Sequence, residues 1–509
     1  MASATPPGAP MPAGRLAGFI LGPSLFALLL ALPTPADMPV AAKQAAALVV
    51  WMATWWMSEA IPIPATALLP LVVFPLLGVS RIKDVASTYA NPTVFLFMGG
   101  LFLATAIERW GLQRRIALWI IQKVGFSPTR IILGFMLATA FLSMWISNTA
   151  TTVMMLPIAM AVASEVGAAS AGGADTDTEA GRKFCMALML GIAYAATIGG
   201  ICTIIGTPPN LVFAEIMRQM FPEMEEVTFL RWLAFGLPLG VIYLPLAWIY
   251  LTRIAVPLRG QRLPGSRVAI EEQRRSLGSM NRGEKVTLVT LVTAAALWIL
   301  RSNITIGSLT IPGWAPALGV ADWVHDATVA MAAVLFLFCF PVNLRRGEFV
   351  LDWESARKIP WGILLLFGGG FAMAYGVHDS GLAGWVGGKL EGITDWPPLL
   401  MIATVACSST LLSEFASNTA IATTFIPILG AAAQGAGLHP FILMAPGAMA
   451  STLGFMLPVS TPPNAIVFAT GYIRIPEMVR AGIWMDVVGT VLVALIVYYI
   501  SLPILGIQL

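Results

Sequence analysis

Charge is what this sequence has least of. It holds 29 Lys and Arg and 26 Asp and Glu, so only 11% of its 509 residues are charged, where a soluble protein carries about 25%. With 58% of the chain hydrophobic, a water-soluble globule is excluded and the chain belongs in a bilayer. Histidine is nearly absent. His325, His378 and His439 stand apart near the ends of apolar stretches, which excludes a zinc set, a histidine proton relay and a catalytic triad. The apolar segments also hold no nucleophile–base pair, so nothing marks the chain as an enzyme. Cys185, Cys202, Cys339 and Cys407 all fall in apolar segments and read as buried thiols, neither disulfides nor metal ligands. The net charge of +3 carries no nucleic-acid signal, because the positive residues lie in loops between apolar stretches. No small-residue cleavage site follows the first apolar run, so it reads as a retained span.

What the chain does have is an internal repeat. Ser147-Asn148-Thr149 recurs as Ser417-Asn418-Thr419, each inside a long apolar stretch and 270 positions apart. The same offset of 270 relates Phe97 to Phe367 at the head of glycine-rich runs, Ser143 to Ser413, and Pro157 to Pro427. Thr-Pro-Pro-Asn occurs at Thr207–Asn210 and at Thr461–Asn464. Its offset of 254 is 16 less, as expected if the first copy carries an extra loop, and the Ala/Gly/Asp run Gly167–Gly181 supplies one. A long repeat in an apolar chain is the mark of transporters, whose paired half-sites meet near the bilayer midplane.

Loop charge orients the repeats. Spans are expected near 16–33, 44–58, 61–78, 90–107, 184–216, 228–252, 286–300, 327–342 and 483–506. With the N-terminus cytoplasmic, 22 of the 29 Lys and Arg fall inside, many of them in the basic loop 253–285. That imbalance fits the positive-inside rule and leaves the C-terminus outside. The first repeat then enters its glycine-rich span from outside and the second from inside. The repeats are inverted, which is the geometry of alternating access.

Each Ser-Asn-Thr joins two apolar pieces shorter than a crossing, 131–146 with 150–164 and 397–412 with 420–434. Such a pair forms a re-entrant hairpin, and its polar turn is tolerated only where it lines a cavity. Free carbonyls at the end of the first piece suit a small hard cation, and free N–H groups at the start of the second suit an anion. Taken singly, Ser147 or Asn148 is an ordinary helix cap; the symmetric duplication is what points to a site. Thr-Pro-Pro-Asn likewise reads as a break within a span. Gly206 or Ser460 ends one helix, Thr caps the next, and the prolines sit in its first turn. None of the four motifs contains Lys, Arg or His, so a bound dianion needs cations for balance. Glu414 is the one charge beside a motif and is expected to be structural or to face the aqueous side of the hairpin. Asp486 reads as an interfacial or capping residue.

Two Ser-Asn-Thr motifs, each followed by Thr-Pro-Pro-Asn in an inverted repeat, resemble the divalent-anion/sodium symporter family over nearly the whole chain. The resemblance implies an all-α polytopic membrane protein with two re-entrant hairpins, two broken helices and about eleven spans. It implies a homodimer in the plasma (inner) membrane, with Na⁺ and a small-molecule dicarboxylate as cargo and no nucleic-acid partner. One sodium site would use Ser143, Ser147, Asn148 and Gly206, the other Ser413, Ala416, Asn418 and Ser460. Substrate carboxylates would meet Asn148, Thr149 and Thr207 from one half. From the other half they would meet Ser417, Asn418, Thr419, Thr461 and Pro462. Residues 1–108 and 286–393 would form a scaffold, and 129–252 and 394–509 a transport body sliding against it in an elevator motion. The implied activity is sodium-coupled uptake of a C4 dicarboxylate such as succinate, fumarate or malate. Sodium-independent dicarboxylate exchange, and citrate or sulfate as substrate, are the alternatives within the family.

Overall fold

The computed structural model describes residues 11–170, 176–258, 266–306, 309–389 and 396–507. Arg259, Arg262 and the middle of the Ala/Gly/Asp run lie outside them. The chain opens with α1 (Ala13–Ala31) packed on α2 (Val40–Ser58), followed by the short α3 (Ile63–Thr66), α4 (Leu69–Leu77) and α5 (Ile82–Ser87). The glycine-rich α6 (Pro92–Trp110) and the amphipathic α7 (Leu112–Val124) come next. The first hairpin is α8 (Pro128–Ser143) and α9 (Asn148–Ser170). The first broken helix is α10 (Thr176–Cys202) and α11 (Pro208–Met220), followed by α12 (Phe229–Tyr250). A connector of α13 (Ser266–Ser276), α14 (Arg282–Ile299), α15 (Trp314–Ala317), α16 (Asp326–Cys339) and α17 (Trp353–Ala356) leads to the second glycine-rich helix, α18 (Trp361–Asp379). After α19 (Leu382–Gly388), the second hairpin is α20 (Pro398–Ser413) and α21 (Asn418–Gly435). The second broken helix is α22 (Phe441–Ala450) and α23 (Pro462–Phe468), and α24 (Ile475–Ile496) follows.

Local chemistry accounts for the boundaries. Asn91 accepts a bond from Thr93 N at 2.9 Å and Pro92 fills the first position of α6, where no N–H is needed. The helix ends at Gly111, in the left-handed region at φ 69°, as glycine permits. Asn281 and Glu284 form a reciprocal capping box at the start of α14. Stretch 61–78, expected as one span, is instead the pair α3 and α4, because Pro62, Pro64 and Pro70 restart the chain twice.

Among the described residues, six helices are long and apolar enough to cross a membrane: Ala13–Ala31, Ile82–Trp110, Gly181–Cys202, Phe229–Ala255, Trp361–Asp379 and Ile475–Ile504. Their outward side chains are apolar too. Leu28, Val241, Ile254 and Val491 all stand on the surface, as lipid contact requires and water would penalise. The fold is mostly helical with two small exceptions. β1 (Ile304–Ile306) pairs antiparallel with β2 (Leu309–Ile311), Ile304 opposite Ile311, and β3 (Pro341–Asn343) pairs with β4 (Glu348–Phe349). The second pair ends the apolar stretch 327–342 at Cys339, short of the expected limit.

The repeat is visible in the fold. Hairpin helices α8 and α20, and α9 and α21, start 270 residues apart, while α11 and α23 start 254 apart. The glycine-rich helices α6 and α18 meet, with Phe97 edge-on to its counterpart Phe367 at 5.0 Å between ring centroids. Cys185 and Cys202 are buried free thiols, whereas Cys339 and Cys407 are exposed. An apolar segment here has an outward face as well as a core face, so apolarity alone does not place a thiol inside.

Candidate functional site

Each hairpin turn is four residues, 144–147 and 414–417, and each packs against the broken helix of its own repeat: α8 and α9 on α10, α20 and α21 on α22. The pairing also crosses between repeats, since α9 packs on α23 and α21 on α11. The two repeats therefore contact each other through their motif helices.

In the first half, Ser143 Oγ donates to Asn148 Oδ1 at 2.7 Å and also lies 2.7 Å from the carbonyl of Ala196. A Cβ on Gly200 would stand 2.3 Å from Asn148 Oδ1, and one on Gly206 would stand 2.5 Å from the carbonyl of Gly200. Only glycine admits those contacts, and they put Ser143, Asn148, Gly200 and Gly206 in one cluster. Ser147 caps α9 by accepting from Ala150 N at 3.3 Å. The break spans 203–207, so Gly206 lies inside it and Cys202 ends the preceding helix. Thr207 is extended but makes no side-chain cap.

The second half repeats the plan with different bonds. Ser413 Oγ donates to the carbonyls of Thr410, at 2.8 Å, and Leu453. Asn418 Nδ2 donates to the carbonyl of Thr452 at 3.1 Å. Ser460 Oγ reaches the carbonyls of Gly454 at 3.0 Å and Leu457 at 2.7 Å. Here Thr461 does cap its helix, accepting from Asn464 N at 3.3 Å. Ala416 has no polar side chain to contribute, so a ligand there would take its carbonyl. Thr149 and Pro462 are exposed, and Ser417 and Thr419 half-buried, at the first turns of their helices.

Sequence reading passed over Asn210 and Asn464, the last residues of the two Thr-Pro-Pro-Asn motifs. Asn210 Nδ2 lies 3.1 Å from the carbonyl of Gly200 and 2.7 Å from that of Thr203. Asn464 Nδ2 lies 3.0 Å from that of Gly454 and 3.1 Å from that of Leu457. Each amide staples its own break, and the repetition of the Asn was the available signal. The side-chain oxygens of Asn210, Asn418 and Asn464 are buried without a hydrogen-bond partner. An orphan acceptor is costly and suits a hard cation such as Na⁺, which takes oxygen ligands as Ca²⁺ and Mg²⁺ do.

Of its two expected readings Glu414 takes the structural one, and Asp486 is not interfacial. Glu414 is fully buried and Asp486 only 5% exposed, so neither faces water or an interface. Both bond to backbone amides of the second break.

Outside the hairpins, a charge cluster joins the loop before α12 to the connector. Glu226 meets Arg301 Nη2 at 3.0 Å and His325 Nε2 at 3.1 Å, and Asp326 meets Arg301 Nε at 2.7 Å. Burial alone would raise the Glu226 carboxyl, but the His325 hydrogen bond and the Arg301 charge outweigh it and hold it down at about 2.

Paired helix breaks and hairpin turns lined by oxygen donors, in a bundle with an apolar outer surface, define a multi-pass membrane transporter. Residues 15–505 match the family described as the sodium:sulfate symporter transmembrane region. The sodium-dependent dicarboxylate transporter SdcS of Staphylococcus saprophyticus is 42% identical over 496 residues, 97% of this chain and 93% of that protein. SdcS of Staphylococcus aureus strain NCTC 8325 is 41% identical over 501 residues, 98% of this chain and 94% of that one. Two solved structures share the fold at 14% identity: the YdaH transporter of Alcanivorax borkumensis, with TM-score 0.54 over 96% of this chain and 97% of that one, and MtrF of Neisseria gonorrhoeae, with TM-score 0.56 over 97% and 96%. The chain belongs to the sodium:sulfate symporter family, the divalent-anion/sodium symporters its paired motifs resemble. It is a transporter and not an enzyme.

Proposed function

We propose that the chain is a sodium-coupled symporter that imports C4 dicarboxylates, such as succinate, fumarate or malate, across the plasma membrane. The observation that carries this reading is the set of orphan amide oxygens on Asn210 and Asn464 at the two breaks and on Asn418 at the second hairpin turn, with no Lys, Arg or His among the four motifs. A site with acceptors for cations, and no fixed positive charge for an anion, fits a dianion that enters with its own counter-ions. Ser143, Ser147, Asn148 and Gly206 would hold one Na⁺, and Ser413, Ala416, Asn418 and Ser460 the other. The hydroxyls of Thr149, Thr207, Ser417, Thr419 and Thr461 and the amides of Asn148 and Asn418 would hold the substrate carboxylates, with Pro462 packed beside them. The N-termini of α9 and α21 add favourable dipoles. SdcS, named a sodium-dependent dicarboxylate transporter, supports both the ion and the substrate class.

The hairpins would be re-entrant and the repeats inverted, with the N-terminus cytoplasmic and the C-terminus outside. Residues 129–252 and 394–509 would move as the transport body, and 1–108 and 286–393 would stay as the scaffold of a homodimer. Uptake of labelled succinate into proteoliposomes, with and without an inward sodium gradient, tests the reading. Uptake should require the gradient. Equal uptake in choline buffer would replace symport by sodium-independent exchange, and uptake of labelled sulfate or citrate but not of labelled succinate would change the substrate.

A further inference from the structure

The two breaks are unequal. The first spans five residues, 203–207, and the second eleven, 451–461. A longer break frees more backbone amides, and in a bilayer each needs an acceptor. Three of them find carboxylates: Phe455 N donates to Asp486 Oδ1 at 3.2 Å, Met456 N to Glu414 Oε1 at 3.1 Å and Leu457 N to Glu414 Oε2 at 3.1 Å. Among the described residues the first repeat has no such clamp. The residue at offset 270 from Glu414 is Met144, whose carbonyl simply accepts from Thr203 Oγ1 at 2.5 Å.

The clamp is built from two sides. Glu414 reaches up from the hairpin turn and Asp486 comes from α24, and the two accept from the neighbouring amides of Met456 and Phe455. One turn before Asp486, Gly482 lets α24 close on the break: a Cβ there would stand 2.3 Å from the carbonyl oxygen of Phe455. Tyr194 and Tyr243 pack edge-on against the Phe455 ring from the other side, with centroids 5.0 and 6.0 Å away. Neither carboxylate has an ion pair among the described residues. Burying two acids without a cation is expensive; backbone amides partner both oxygens of Glu414 and Oδ1 of Asp486, while Asp486 Oδ2 is buried without a hydrogen-bond partner. With 455–457 pinned on the amide side, the carbonyls of Thr452, Leu453 and Gly454 turn toward Asn418, Ser413 and Ser460.

We infer that Glu414 and Asp486 are positioning residues. They do not touch the ion; they clamp the amides of 455–457, fix the carbonyl geometry of the second sodium site, and so set that site's affinity apart from the first. The inference rests on the proposed sodium assignment of the Ser413, Asn418 and Ser460 cluster.

Amide hydrogen exchange on the intact transporter and the sodium activation of uptake together test it. In the unmodified protein without sodium, the amides of 455–457 should already be protected although no helix holds them; free exchange there would refute the clamp without any variant. Glu414→Gln and Asp486→Asn should each speed exchange at 455–457 by about tenfold or more, leaving 203–207 unchanged. Both should raise the sodium concentration for half-maximal uptake severalfold, with dicarboxylate half-saturation at saturating sodium held within about twofold. A residue important only for folding would lower the yield and the maximal rate and leave the sodium curve in place, and that result would overturn the inference. Asn418→Ala separates the two layers. If it too leaves sodium activation unchanged, the second sodium site is misassigned; if it shifts activation while the carboxyl variants do not, the clamp alone fails.

Discussion

Asn148 and Asn418 hold the same place in their hairpins but use their amides differently. Asn148 Oδ1 already accepts from Ser143, whereas Asn418 Oδ1 is buried and unpartnered while its Nδ2 holds the Thr452 carbonyl. Asn148→Ala and Asn418→Ala each remove a group expected to bond both an ion and a carboxylate. A lost bond to a charged ligand costs about 1.5–3 kcal/mol, so succinate affinity in either variant should fall by about tenfold or more. Both should still insert; wild-type uptake by one would show that its hairpin does not form a half-site. Glu226 offers a pH test outside the bilayer. Its carboxyl sits at about 2, below the ordinary 4.5, so its contribution to stability is full above about 4.5 and is lost as pH falls toward about 2. Thermal unfolding in detergent should therefore show Glu226→Gln less stable than wild type at neutral pH, with the gap closing in acid. A gap that persists at low pH would mean packing, and not charge, is lost. These single-residue roles were the least legible part of the sequence. Glu414 was visible as a lone charge, but its partners Met456 and Leu457 lie more than forty positions away in a segment with no polar pattern.

At the scale of elements the sequence was far more readable. Thr-Pro-Pro-Asn located both breaks, because proline cannot continue the preceding helix and suits the first turn of the next, and α11 and α23 begin at its first proline. The length of the second break could not be read, since its freed amides find acceptors on Glu414 and Asp486, which come from other elements. Stretch 61–78 misled for the opposite reason: its apolar run was continuous while its prolines cut it into α3 and α4. The hairpin seam gives a sharp test. A Cβ at Gly199 would stand 2.2 Å from the backbone oxygen of Ala140, so Gly199→Ala must push α8 off α10 at a cost of about 1–3 kcal/mol. A lower melting midpoint and reduced sodium-dependent uptake should follow, while Gly384→Ala, with nothing within 4 Å of the new Cβ, should leave both unchanged. Equal behaviour of the two would show that the α8–α10 contact is slack.

The whole molecule is organised around its repeat. Phe97 against Phe367, and the crossed packing of α9 on α23 and α21 on α11, join the halves around one region, and an exchange of access between two faces follows if those elements move together. Thr149 is exposed at the head of α9. In Thr149→Cys, labelling by membrane-impermeant thiol reagents should succeed from either side according to state, and sodium with succinate should protect the thiol. Labelling from one side under every condition would argue against alternating access. A crosslink between transport elements and scaffold should stop uptake while sparing binding; continued uptake would favour a local gate. Two cation half-sites would serve one dianion, and the sodium dependence of succinate uptake in proteoliposomes measures that directly. The rate should rise steeply with external Na⁺, with a Hill coefficient above one, and Li⁺ should substitute poorly. A hyperbolic curve, or uptake indifferent to Na⁺, would contradict it.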